Sequence, residues 1–231
     1  MKFNQYRELA HNEIIEAVGY DIVIQRYNMG TLSLRSGQLV ACDLVEHPDA
    51  EPFVRSVPPG AYTVRGIVAH MRDDPEIAYL SLEVGPNEAT SWKMAQVPSE
   101  VDSEALGARG FMVHSGVGAL MDAQTALLWM QHRVIHAGPE PTELEKTMKA
   151  TLRKSRKRLG SDQSGWAMLQ NRALEDESLL VFSVGKDPDL ITTYFGWDEH
   201  DNLTRVVLDL GVLDLRFMAP RRRDPRRFVA T

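Results

Sequence analysis

The chain has 231 residues, 43% of them apolar and 25% charged, with a formal net charge of −6. This is an ordinary globular composition, and no stretch approaches the roughly 20 consecutive apolar residues of a membrane-spanning helix. The single cysteine, Cys42, excludes an internal disulfide and any cysteine-rich zinc or redox motif.

The opening run Met1-Lys2-Phe3-Asn4-Gln5-Tyr6-Arg7-Glu8 becomes charged at once and has no apolar stretch ahead of a small-residue cleavage site. A soluble cytoplasmic protein is therefore expected, with no membrane association. Charge is uneven along the chain. The last sixteen residues, Arg216 to Thr231, hold six arginines against one aspartate, so they carry +5 and leave the preceding residues at −11. β-rich folds of this length are commonly one unit, which predicts a single globular domain over 1–215 followed by a basic tail over 216–231.

In chain order, Tyr6, Leu9, Ala10, Ile14, Ala17 and Val18 fall on one helical stripe and predict an N-terminal helix ending near Gly19. From Tyr20 to Val97 the period changes to two. Leu32 and Leu34 alternate before Ser36-Gly37, and Leu39 and Ala41 after it, which predicts a hairpin. Tyr62, Val64 and Ile67 mark a further strand and Ile77 to Val84 another, with Asp73-Asp74-Pro75 as the turn between them. Asp122 suits the N-cap of a helix running towards His136, and Thr142 with Glu145 three residues on is a capping box that opens a second helix. Leu179 to Val184, Leu190 to Trp197 and Leu203 to Leu210 predict three more strands, the last two joined by Glu199-His200-Asp201-Asn202. The expected class is α+β: a mainly antiparallel sandwich or open barrel, with an N-terminal helix and two helices inserted between the β halves.

Few motifs carry chemistry. Ser56-Val57-Pro58-Pro59-Gly60-Ala61-Tyr62 suits a rigid strand start, with Arg55 and Arg65 on either side as possible anion contacts. Phe111 to Asp122 places Gly116 and Gly118 between a short apolar strand and a helix, where backbone amides can hold an anion; it is neither a P-loop nor a dinucleotide fingerprint. His132 and His136 stand four apart on a helix but lack a third metal ligand. The Lys149 to Arg158 cluster has no interleaved aromatics and reads as a solvated surface, so nucleic acid ranks last among the partners. No cofactor and no metal are expected.

Several of these runs, taken together, resemble a bacterial family catalogued as domain of unknown function 4241, over about Gly30 to Leu210. They are Gly30-Thr31-Leu32, Ser36 to Asp43, Phe53 to Gly60, Gly116 to Asp122, Val181 to Gly185, Tyr194-Phe195-Gly196 and Val206 to Asp209. Two positions depart from the family pattern. His114 stands where members usually show an aspartate, and Lys186-Asp187-Pro188-Asp189 stands in place of a Gly-Asp-Gly-like turn. The resemblance implies a single domain and supplies no reaction.

Two functions lead, with nucleic-acid binding through the two basic segments ranked third. The first is a protein-binding, immunity-like module that presents its acidic body to a basic protein partner. The second is an enzyme or small-ligand receptor whose pocket gathers Asp43, Arg55, His114, Asp122, Ser183 and Asp209 at neighbouring strand ends.

Overall fold

The computed structural model describes residues 13–17, 20–71, 74–101, 110–138, 140–170, 172–175, 177–184, 190–213 and 219–220. Its strands are β1 (Ile14–Ala17), β2 (Tyr20–Leu34), β3 (Leu39–Asp43), β4 (Gly60–Met71), β5 (Asp74–Glu83), β6 (Ser91–Met94), β7 (Phe111–Met112), β8 (Val117–Asp122), β9 (Gly165–Gln170), β10 (Ser178–Ser183), β11 (Leu190–Trp197), β12 (Leu203–Asp209) and β13 (Ala219–Pro220). Among the described residues the helices are α1 (Pro98–Val101), α2 (Ala123–Ile135) and α3 (Glu143–Leu159), with a 3-10 turn at Arg172–Leu174.

Nine strands form one antiparallel sheet in the order β13-β1-β2-β4-β5-β12-β11-β6, with β7 also paired to β11; β3-β8-β10-β9 form a second, four-stranded sheet. Alternation along each strand decides which layer it builds. Leu39, Leu120, Leu180 and Phe182 of the small sheet meet Leu32, Val64, Leu80, Phe195 and Val206 of the large one in the main core. The intervening residues Val40, Cys42, Met121 and Val181 face the other way and pack against Trp129, Leu144, Met148 and Leu152 of the helices. The result is three layers, large sheet, small sheet and helices, and the expected antiparallel α+β class is found. Three bulges adjust the large sheet. Opposite the step from Ile67 to Val68, Ala78 of β5 is left out of the ladder, so that Ala78 and Tyr79 both reach the outer face while Ile77 and Leu80 stay inside.

Local chemistry fixes the helices. The Asp122 side chain accepts the Gln124 amide hydrogen at 2.9 Å as N-cap of α2. At α3, Thr142 Oγ1 accepts from the Glu145 amide while the Glu145 carboxylate accepts from the Thr142 amide, which is the predicted capping box. Leu144, Met148, Leu152, Ser155 and Leu159 recur at three- and four-residue spacing and are buried. Each apolar member contributes about 1.5–3 kcal/mol by leaving water. No helix among the described residues is long and apolar enough to cross a membrane.

Three expectations are corrected. Residues 14–17, predicted as the end of an N-terminal helix, are a strand paired with β2 and β13; residues 6–12 and 18–19 of that prediction lie outside the described residues. Ile14 and Ala17 fit a helical stripe, but this short segment satisfies its backbone by tertiary pairing instead. The Ser36-Gly37 turn does not close a hairpin. It carries the chain from β2 in the large sheet to β3 in the small one. Gly37 takes φ 73°, and a β-carbon there would lie 2.1 Å from the Val57 carbonyl oxygen, so the corner requires glycine on two counts. Finally, Gly116 and Gly118 open and enter strand β8 rather than a helix N-terminus. Gly118 is needed for packing: a β-carbon would lie 2.4 Å from the Phe182 ring. In the segment expected as a tail, Ala219 and Pro220 pair with Glu16 and Ile15; 214–218 and 221–231 lie outside the described residues.

Candidate functional site

Asp43 ends β3 and is buried. Its carboxylate accepts from the Val45 and Glu46 amides at 2.9 and 3.0 Å and from the Ser115 amide and hydroxyl at 2.8 and 2.6 Å. Burial alone would raise this carboxyl, but the bonds from Glu46, Ser115 and Val45 outweigh it and hold it below the usual carboxylate range. Asp122, also buried, accepts from the Ser36 amide and hydroxyl at 2.9 Å, from the Gly37 amide at 3.2 Å and from Gln124. Each aspartate therefore locks a loop: Asp43 ties the 44–47 turn to Ser115, and Asp122 ties the sheet-switching corner to α2.

The six residues expected to share a pocket are spread over the molecule. In the β3–β8 ladder Asp43 pairs with Gly118 and Leu39 with Asp122. Four residues of strand separate the two carboxylates, roughly 14 Å at the usual rise. Ser183 lies on β10 with its hydroxyl towards α3, where it accepts from Arg156 Nε at 3.3 Å and donates to the Gly165 carbonyl at 3.2 Å. Asp209 belongs to the other sheet, where it pairs with Tyr79 and Thr192 and accepts from the Gly211 amide at 3.0 Å. Arg55 is exposed, its guanidinium 5.3 Å from the Trp197 ring centre. His114 is exposed beside Ser115. The His132 and His136 rings lie 4.5 Å apart, and among the described residues no group of three potential ligands could hold a metal ion. Lys186 to Asp189, where the chain departs from the family pattern, lie outside the described residues.

What the fold does assemble is a cleft of about 310 Å³ at the edge of the main core. Its apolar lining includes Ala41, Phe53, Ala95, Val97 and Phe111, and its polar lining includes His47, Asp49, Glu51, Glu100 and Thr193, with no lysine or arginine among the described residues. The walls are tied together. The Phe53 amide donates to Leu39 O at 2.9 Å, the Val54 amide to Gln96 O at 2.9 Å and the Ala95 amide to Thr193 O at 2.7 Å. Glu51 Oε2 accepts from the Ser99 amide at 3.0 Å and Glu100 Oε2 from the Val97 amide at 3.2 Å. The bonds from Ser99 hold the Glu51 carboxyl below the usual range, against a smaller opposing effect of burial. Asp43 takes part indirectly, because the turn it caps leads into the His47 to Glu51 wall.

Thr193 is 3% exposed, and its hydroxyl has no hydrogen-bond partner among the described residues. It sits on the core-facing side of β11 between Ile191 and Phe195 and lines the cleft. The Phe53 and Phe195 rings meet edge to face at 6.1 Å behind it. None of the six residues chosen from sequence lines the cleft. The lining comes from segments up to about 150 positions apart and forms no motif. The one sequence signal was the run from Asp43 to Glu51, which holds four acidic residues and no lysine or arginine.

No curated protein and no solved structure matches the chain. The model of the family described as protein of unknown function, DUF4241, matches residues 32–208, which takes in most of both sheets, all three helices and the whole cleft lining, and the chain belongs to that family.

Proposed function

We propose that the protein is a binding module, immunity-like in kind, whose acidic cleft face receives a basic protein partner. The observation that carries this reading is the composition of the cleft: three carboxylates around an apolar floor, with no lysine or arginine among the described residues that line it. Apolar side chains next to like-signed charge suit a protein surface better than a small-molecule site. The apolar part supplies affinity, and the charge steers and selects the partner. The competing reading, an enzyme or small-ligand receptor built on the six polar residues, has less support. Asp43 and Asp122 have their oxygens engaged by fold-building donors at opposite ends of one ladder.

Affinity capture from a native lysate at low salt tests the reading. The chain should retain a stoichiometric basic partner that elutes with salt, and the double variant Asp49→Lys, Glu51→Lys should lose it. Recovery of no basic partner, or equal recovery by the variant, overturns the proposal.

A further inference from the structure

We infer that the outward faces of α2 and α3 together form a peripheral contact for an anionic phospholipid surface, α3 supplying the charge and α2 the apolar side chains that enter the headgroup layer. None of the cleft residues takes part, so the inference stands apart from the binding reading above.

α3 has no acidic residue between Lys146 and Gly160. Its buried stripe of Leu144, Met148, Leu152, Ser155 and Leu159 turns Lys146, Lys149, Arg153 and Lys157 to the opposite side, where all four are exposed along about 17 Å of helix. Two neighbouring cations are used by the fold. Arg156 Nε donates to Ser183 Oγ at 3.3 Å, and the Arg158 guanidinium lies 4.9 Å from the Trp166 ring centre. Lys146 pairs with Glu143, whereas Lys149, Arg153, Lys154 and Lys157 have no ion pair or hydrogen bond among the described residues.

α2 belongs to the same layer. It meets β3 and β8 of the small sheet where α3 meets β9 and β10, and the end of α2 and the start of α3 border one hollow, lined by Ile135, His136 and Thr142 to Leu144. With Thr125, Ala126 and Trp129 turned inwards, α2 presents Leu127, Gln131, Val134 and Ile135 outwards, a face without charge. Leu127, Val134 and Ile135 are 56%, 77% and 75% exposed, so three of the six exposed large apolar side chains among the described residues sit on the helix beside the basic stripe.

This mixture decides the occupant. Lysine is depleted from protein–protein interfaces, whose anchors are aromatic residues and arginine. A nucleic-acid backbone takes up cations but gives aliphatic side chains nothing to bury against, and single strands ask for aromatic platforms. An anionic bilayer surface uses both groups: its charge attracts each cation, and the aliphatic tips leave water at the boundary with the acyl chains. The contact departs from the expectation of no membrane association, which follows from the lack of a spanning segment; two folded helices meet a bilayer surface without one.

Co-sedimentation of the full chain with vesicles of equal parts phosphatidylcholine and phosphatidylserine tests this, with vesicles of phosphatidylcholine alone as the control. Binding to the mixed vesicles should be at least about tenfold tighter than to the control and should weaken as salt rises. Lys149→Glu with Arg153→Glu should lower it at least about tenfold, and Val134→Ser with Ile135→Ser by several-fold. Both variants change exposed side chains, and an unchanged urea midpoint shows that the fold is kept; Lys149→Gln with Lys157→Gln serves where charge reversal lowers it. No binding to the mixed vesicles, equal binding to both kinds, or full binding by either variant overturns the inference. Duplex DNA that binds the parent and the Val134→Ser, Ile135→Ser variant alike, and more tightly than the mixed vesicles do, would overturn it by assigning the face to nucleic acid.

Discussion

Two kinds of buried polar group stand side by side in this protein. Asp43 and Asp122 have each gathered four donors, some from the adjoining turn and the rest from a loop distant in sequence. Thr193, about as well buried, has none. The aspartates are hydrogen-bonded to the limit because their work is internal: they hold the ends of the β3–β8 ladder to the loops that leave it. The threonine lines the acidic cleft, but its hydroxyl is unpartnered among the described residues and shut off from solvent. Saturation marks construction, and an unpartnered buried hydroxyl is a local cost that the surrounding packing carries.

The comparison breaks most readily at Asp122. Removing it as Asp122→Ala takes away the N-cap of α2 and the anchor of Ser36 and Gly37 together, so about 3 kcal/mol of unfolding free energy should be lost. Urea denaturation measures this. A midpoint unchanged from the parent would mean that the corner holds itself.

Asp43→Asn should cost about 2 kcal/mol, because an amide cannot accept from all the amide donors that the carboxylate serves. It should also change the response to acid. The folded pKa of Asp43 is depressed, so its stabilisation is complete above the unfolded value of about 3.9 and is lost as pH falls through the folded pKa. The variant should therefore show a shallower loss of stability below pH 4. An identical acid limb would contradict the role given to Asp43.

The smallest effect has the opposite sign. Thr193→Val should stabilise the free protein by about 1 kcal/mol, because it removes a buried hydroxyl that makes no bond and keeps nearly the same shape. Loss of stability would show that this hydroxyl has an internal partner and is not vacant.

How much of this was legible in the sequence follows from how local each feature is. The N-cap at Asp122 and the box formed by Thr142 and Glu145 need only three or four residues, and both were readable. Strands β10 to β12 were readable from apolar runs between turn residues. The Ser36-Gly37 corner was not, because a hairpin and a switch between sheets use the same turn residues; the difference lies in Val57 and Asp122, which close on the corner from elsewhere. Strand β9 was overlooked since Trp166, Ala167 and Leu169 bury both faces and leave no alternation. The cleft was beyond reach for a similar reason. Its acidic wall lies within a visible run, but nothing around Thr193 in the sequence separates an unsatisfied hydroxyl from any other strand threonine.

The central claim, that the acidic cleft face receives a basic partner, is tested most directly by the affinity of the captured partner for the parent chain and for the Asp49→Lys, Glu51→Lys variant across a salt series. Binding to the parent should weaken as salt rises, and the variant should bind at least tenfold more weakly at low salt. Equal affinity of the two chains, with no dependence on salt, would contradict the account.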